Sequence, residues 1–108
     1  MKLIAVVTTV EKLEDAQRIA RTAVESQLAA CAQLEAIDSI YSWKGNIEHA
    51  SEIRITLKTT VERCQELMAQ MVKDHPYETP AVYTLEVAQA YQPYAEWVSL
   101  NTRNDVKP

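Results

Sequence analysis

CAQLEAIDSIYSWKGNIEHASEIRITLKTT, residues 31–60, contains Gly45, the only glycine among 108 residues. A chain with a single glycine has little freedom for tight turns at positive φ, so Gly45 marks a reversal of direction. Ahead of it stand Ile37, Ser39, Tyr41 and Trp43; beyond it Ile53, Ile55 and Leu57 alternate with Glu52, Arg54, Thr56 and Lys58. The second run has the period of two expected of a strand with one buried face. Lys44-Gly45-Asn46 therefore closes a long β-hairpin. Its tip carries Tyr41 and Trp43 among charged neighbours, more aromatic surface than a solvated turn normally shows.

Towards the N-terminus, residues 2–9 (KLIAVVTT) are β-branched and apolar on both faces, as suits a central strand. Ala16, Ile19, Ala20, Ala23 and Val24 then recur at the spacing of an amphipathic helix, with Glu14, Asp15, Arg18, Arg21 and Glu25 as its wet face. Leu28-Ala29-Ala30-Cys31 leads into the hairpin, its small residues permitting close backbone packing.

Beyond the hairpin, Thr59 and Glu62 have capping-box spacing. Val61, Cys64, Met68, Met71 and Val72, with Leu67 beside them, predict a second amphipathic helix. Pro76 ends it and pushes His75 out of helical geometry. With Pro80 four residues on, the segment 75–80 is a constrained, extended connector. Ala81 to Ala90 reads as a fourth strand, and Pro93 opens a short last helix through Tyr94, Trp97 and Val98. The polar tail, 101–108, is expected to fray.

The order is β-α-β-β-α-β plus a terminal helix. It predicts an α+β, ferredoxin-like plait: an antiparallel sheet with helices on one face, a long central hairpin and a short C-terminal helix. Two helices cover one face only, yet the first strand is apolar on both sides. Tyr41, Trp43, Tyr83 and Trp97 need shelter as well. Proteins commonly bury such a face and such an edge by self-association, so a homo-oligomer is expected.

Length and composition bound the rest. Residues 1–108 make one domain, large enough to bury roughly 65% of its unfolded surface. The formal net charge is −4 and the eleven Lys and Arg residues are dispersed among acidic ones, which excludes a phosphate-backbone binder. No apolar run approaches the roughly 20 residues of a membrane span. LIAVVTTV, residues 3–10, is followed by Glu11 and Asp15 instead of a cleavage site, so it reads as a strand and the chain as cytoplasmic. Cys31 and Cys64 are expected to be free thiols.

Few residues offer chemistry. Cys31, at the start of a strand, is either a soft copper ligand or a small buried side chain. Cys64, Met68 and Met71 share an apolar helix stripe and read as core. His49 sits beside Glu48 in a polar part of the hairpin and reads as solvated. His75 is held near Glu78 by the stiff connector, and it either ligates or caps the preceding helix. Glu52 and Lys58 share the polar face of one strand. There is no Gly-rich phosphate loop, no CxxC and no nucleophile triad motif, so an enzyme is not expected.

Leu28-Ala29-Ala30-Cys31, Ser39-Ile40-Tyr41-Ser42-Trp43-Lys44-Gly45, Glu52, Lys58-Thr59, His75-Pro76-Tyr77-Glu78 and Tyr94 with Trp97 occur in the order and spacing of one family. Over nearly its whole length the chain resembles the CutA family of divalent-cation tolerance proteins. The resemblance implies an interlocked homotrimer similar in shape to PII signalling proteins, and a role in the response to copper and other divalent cations. On that footing Cu or another divalent cation is the expected ligand, at His75 and Cys31, with no organic cofactor. Trp43, Glu52, Lys58, Tyr77 and Glu78 also fall in the family's motifs, and the resemblance implies that they join Cys31 and His75 in a cleft between subunits. The alternative is a PII-like protein that binds a small metabolite or anion there and signals to a protein partner. Three positions depart from the family pattern. Thr8 stands for a cysteine, Asp74 for a histidine and Ala81 for a glutamate, leaving His75 as one of three matched copper ligands.

Overall fold

A computed structural model describes residues 2–102. Seven elements follow in order: β1 (Leu3–Val10), α1 (Leu13–Glu25), β2 (Cys31–Trp43), β3 (Asn46–Thr60), α2 (Val61–Asp74), β4 (Val82–Glu86) and α3 (Gln92–Leu100). The four strands form one sheet in the order β2-β3-β1-β4, every neighbour antiparallel. This is the expected α+β ferredoxin-like plait.

The hairpin closes where Gly45 requires. Trp43 pairs with Asn46, and the two-residue loop between them has φ of 50° at Lys44 and 84° at Gly45. Positive φ at both central residues matches the right-handed twist of the flanking strands. Glycine is not the sole residue at positive φ, however. Gln27 stands at 62° beyond the last turn of α1, with Leu28 N donating to Ala23 O and Gln27 N to Val24 O. That pair of bonds is a Schellman closure built without glycine.

β1 ends at Val10, opposite Ile53, while β2 and β3 stay paired to the loop. Residues 37–43 and 46–52 therefore leave the sheet as a two-stranded arm. Ile40 and Ile47 on it are 74% and 76% exposed.

On one face Ile4, Val6, Val10, Ile55 and Leu57 pack against Ile19, Ala20 and Ala23 of α1 and Leu67 and Met71 of α2. The apolar stripes are narrower than the sequence pattern suggests. Val24, Val61 and Val72 are exposed, because each lies at the margin of its helix face. Cys64 and Met68 pack against the core from its edge.

The capping box does not form. Thr59 faces the helix-covered core, where its Oγ1 donates to the Leu28 carbonyl at 2.6 Å. Thr60 is the N-cap of α2 and makes no side-chain cap bond. His75 does leave helical geometry, with φ −78° and ψ 137°.

The second face is less bare than expected. α3 lies on it, with Ala95 and Val98 packed on Leu3 and Ala30. Thr102 is buried and its hydroxyl donates to the Val98 carbonyl at 2.9 Å, so the tail holds to that point. The rest of the tail expected to fray, 103–108, lies outside the described residues. β4 is shorter than the predicted 81–90 because its ladder with β1 runs out at the start of β1, with Ile4 opposite Glu86 and one last backbone bond from Val87 N to the Leu3 carbonyl at 3.2 Å. Tyr83 and Leu85, aligned with Val7 and Ala5 on this second face, remain 47% and 54% exposed.

Candidate functional site

The arm and the 75–81 connector enclose a cleft. Where β1 stops, the connector turns back along β3 instead of continuing the sheet, leaving a cavity of about 730 Å³ lined by Asp38, Tyr41, Trp43, Glu52, Tyr77 and Glu78, among others. Two prolines constrain the connector, but it bends at Tyr77, Glu78 and Thr79 and does not run extended throughout as expected.

Glu52 is the innermost acid, only 6% exposed. The Tyr77 hydroxyl donates to its Oε2 at 2.6 Å, the one hydrogen bond to this carboxylate among the described residues. Burial, then the bond to Glu52, pushes the Tyr77 phenol above its ordinary range, so it remains a proton donor.

His75 sets the position of Tyr77. Its Nδ1 accepts the Tyr77 backbone N–H at 3.2 Å, and its Nε2 lies 3.0 Å from both Thr8 Oγ1 and the Thr9 carbonyl oxygen. A carbonyl accepts only, so Nε2 carries the hydrogen and the ring is neutral. Burial lowers the His75 pKa, and the Thr9 carbonyl bond pulls the other way. The imidazole also meets the Tyr77 ring edge-on, with centroids 4.9 Å apart.

Around the mouth, the Lys44 ammonium lies 3.7 Å from Glu78 Oε1 and 5.4 Å from the Trp43 ring centroid. On the opposite face of the arm, Asp38 accepts from Ser51 Oγ at 3.4 Å and has His49 Nε2 at 3.8 Å.

Of the seven residues expected in a cleft between subunits, Trp43, Glu52, Tyr77 and Glu78 line this cavity of the single chain and His75 supports it from behind. Cys31 and Lys58 lie elsewhere within the subunit. Lys58 shares a strand face with Glu52, but six residues at about 3.4 Å each put the two roughly 20 Å apart. The period of two reports the face, not the location along it. Lys58 pairs in register with Cys31, and its Nζ donates to Gln33 Oε1 at 3.0 Å. The Cys31 thiol instead meets the Tyr94 hydroxyl at 3.5 Å, where burial pushes that phenol up to about 12.

Within one subunit, then, the two residues expected to bind metal do not meet. Both ring nitrogens of His75 are already engaged, and a metal ion there would displace one of these bonds. Among the described residues no three His, Cys, Asp or Glu side chains are grouped as metal ligands. Tyr41 was read from sequence only as an exposed aromatic, although the register implied by a two-residue loop puts it on the face of the arm that Trp43, Ile37 and Glu52 share.

Comparison with known proteins gives a consistent picture. The model of the CutA1 divalent ion tolerance protein family matches residues 4–101. The divalent-cation tolerance protein CutA of Thermotoga maritima is 40% identical over 96 residues, spanning 89% of this chain and 95% of that one. The crystal structure of divalent ion tolerance protein CutA1 from Ehrlichia chaffeensis superposes with a TM-score of 0.91 at 35% identity, covering 96% of this chain and 99% of that one. The periplasmic divalent cation tolerance protein CutA of Archaeoglobus fulgidus also gives 0.91, at 29% identity over 94% of this chain and 99% of that one.

Proposed function

This chain belongs to the CutA1 divalent ion tolerance family, and from that premise we propose that it serves divalent-cation tolerance as a cytoplasmic homotrimer. Its cleft of Trp43, Glu52, Tyr77 and Glu78 binds a small molecule, and the role is binding, not catalysis. One observation carries this reading: Glu52, nearly buried, meets the Tyr77 hydroxyl inside a cavity of about 730 Å³. Apolar and aromatic walls with a few convergent polar groups are the usual make-up of a small-ligand site.

Self-association is supported by the arm. A two-stranded hairpin is marginal in water by itself, and this one exposes Ile40 and Ile47. Tyr83 and Leu85 leave a second apolar area on the sheet face beside α3. The number three follows the family resemblance.

A second reading keeps copper or another divalent cation as the direct ligand. The partly exposed Cys31 thiol favours it, being a soft donor. Because His75 and Cys31 are apart, such a site would draw ligands from more than one subunit.

Calorimetry on the full chain separates the two. Cu(II), Cu(I) and Zn(II) are titrated beside nucleotides, inorganic anions and small organic ions. Heat from a small molecule that disappears in Glu52→Gln supports the cleft. Heat from metals alone, lost in Cys31→Ser, replaces it with the second reading.

A further inference from the structure

The charge and shape of the cleft narrow its ligand to one chemical class. Two carboxylates, Glu52 and Glu78, line it and no Lys or Arg does, whereas Asp38, out of phase with Tyr41 and Trp43 on β2, turns its own carboxylate to the opposite face of the arm. Asp38 has Ser51 and His49, and Glu78 has Lys44. Glu52 is different. It is 6% exposed, and among the described residues it has a neutral phenol and no cation within salt-bridge distance. A buried carboxylate without a counter-charge is costly, and a ligand cation would supply one.

A divalent ion suits this arrangement poorly, since it needs several donors converging on one point and the described residues hold no such group. An anion suits it less, as it would enter a field of carboxylates. An organic cation fits both the charge and the walls. Tyr41, Trp43 and Tyr77 present ring surface, and aromatic faces attract ammonium groups through their quadrupole. The molecule already shows the mode at the mouth, where the Lys44 ammonium lies over Trp43 and against Glu78.

We propose that the cleft takes an organic monocation, a primary or methylated ammonium compound, with its charged head towards Glu52 and Tyr77 and its carbon skeleton along Tyr41 and Trp43. This rests on the cleft being the ligand site, as set out above. Lys44 then acts as an internal competitor: its ammonium occupies the rim that the ligand shares.

The test uses the full chain carrying Trp97→Phe, which leaves Trp43 as the single indole reporter. The probes are choline, butylammonium, the neutral choline isostere 3,3-dimethyl-1-butanol, inorganic phosphate and AMP, followed by Trp43 fluorescence and by calorimetry. Choline or butylammonium is expected to saturate the signal, with the alcohol at least about tenfold weaker. Glu52→Gln, which keeps an acceptor for Tyr77, should weaken cation binding about tenfold or more. Lys44→Asn, which tolerates the positive φ, should tighten it.

Equal binding of alcohol and choline, no loss in Glu52→Gln, or weaker binding in Lys44→Asn overturns the proposal. Phosphate or AMP binding that depends on Tyr77 while the cations fail rejects the cation and leaves the cleft reading standing. If no probe perturbs Trp43 at about ten millimolar, a level that marks only very weak binding, the cleft reading falls as well.

Discussion

The Tyr77 hydroxyl and the Glu52 carboxylate meet at 2.6 Å across the seam between the 75–81 connector and β3. The bond ties a segment with no strand partner to the end of the sheet. It also satisfies an acid that folding has taken out of water.

Tyr77→Phe removes the donor and leaves Glu52 buried. The expected cost is about 1–3 kcal/mol, the penalty of an unsatisfied buried polar group. Urea unfolding at fixed protein concentration measures it. In a double-mutant cycle with Glu52→Gln the two changes should cost less together than the sum of each alone, because the second removes the charge that the first strands. Strict additivity would show that the bond contributes nothing to the fold.

His75 confers a pH dependence whose sign follows from its burial. Its folded pKa lies below the ordinary 6.5, so the unfolded chain takes up the proton first as pH falls. The stability it contributes is fully present above about 6.5 and is lost progressively below that value. Urea midpoints between about pH 7.5 and 5.5 should fall less steeply in His75→Gln than in the parent.

Two adjacent threonines should respond to very different degrees to the same isosteric change. Thr59→Val deletes a buried 2.6 Å bond to the Leu28 carbonyl and should cost about 1–3 kcal/mol. Thr60→Val removes a hydroxyl that makes no cap bond and should cost less than about 0.5 kcal/mol. Thermal melts of the pair decide the matter, and a larger effect at Thr60 than at Thr59 would show that the Leu28 bond does not stabilise the fold.

Gly45 has open space around the position of a Cβ but a φ of +84°. Gly45→Ala is therefore a backbone effect without a clash, and about 1–2 kcal/mol of strain is expected. Thermal unfolding should register the loss, with little change in the far-UV spectrum.

Charge placed on the sheet face beside α3 should disperse the assembly. Tyr83→Lys with Leu85→Lys puts two ammonium groups where two exposed apolar side chains lie. Sedimentation equilibrium of the parent should give a trimer and that of the variant a monomer. A monomeric parent would remove the proposed assembly.

The hairpin, the element order and the ferredoxin-like plait were legible in residues 31–60 and their flanks because each rests on local physics. A two-residue turn needs positive φ, an alternating run needs a buried face, and Pro76 stops a helix wherever it occurs. The grouping of His75, Tyr77 and Glu78 was legible for the same reason, since they sit on one stiff connector. What local rules do not contain is distance between segments far apart in the chain. Glu52 and Lys58 look equivalent by alternation, yet strand rise carries one into the cleft and the other to the Cys31 end of the sheet. Thr59 has the spacing of a cap, but a carbonyl 31 positions away wins its hydroxyl because both are buried together.

The pattern of side chains along the backbone was enough to determine which segments become strands and helices and in what order they pack. Only the folded chain decided that β1 stops at Val10, leaving the arm and the connector to enclose a cavity, and that Tyr77 reaches Glu52 within it. The physical reason is that periodicity is set residue by residue, whereas the meeting of two side chains depends on where every intervening element ends.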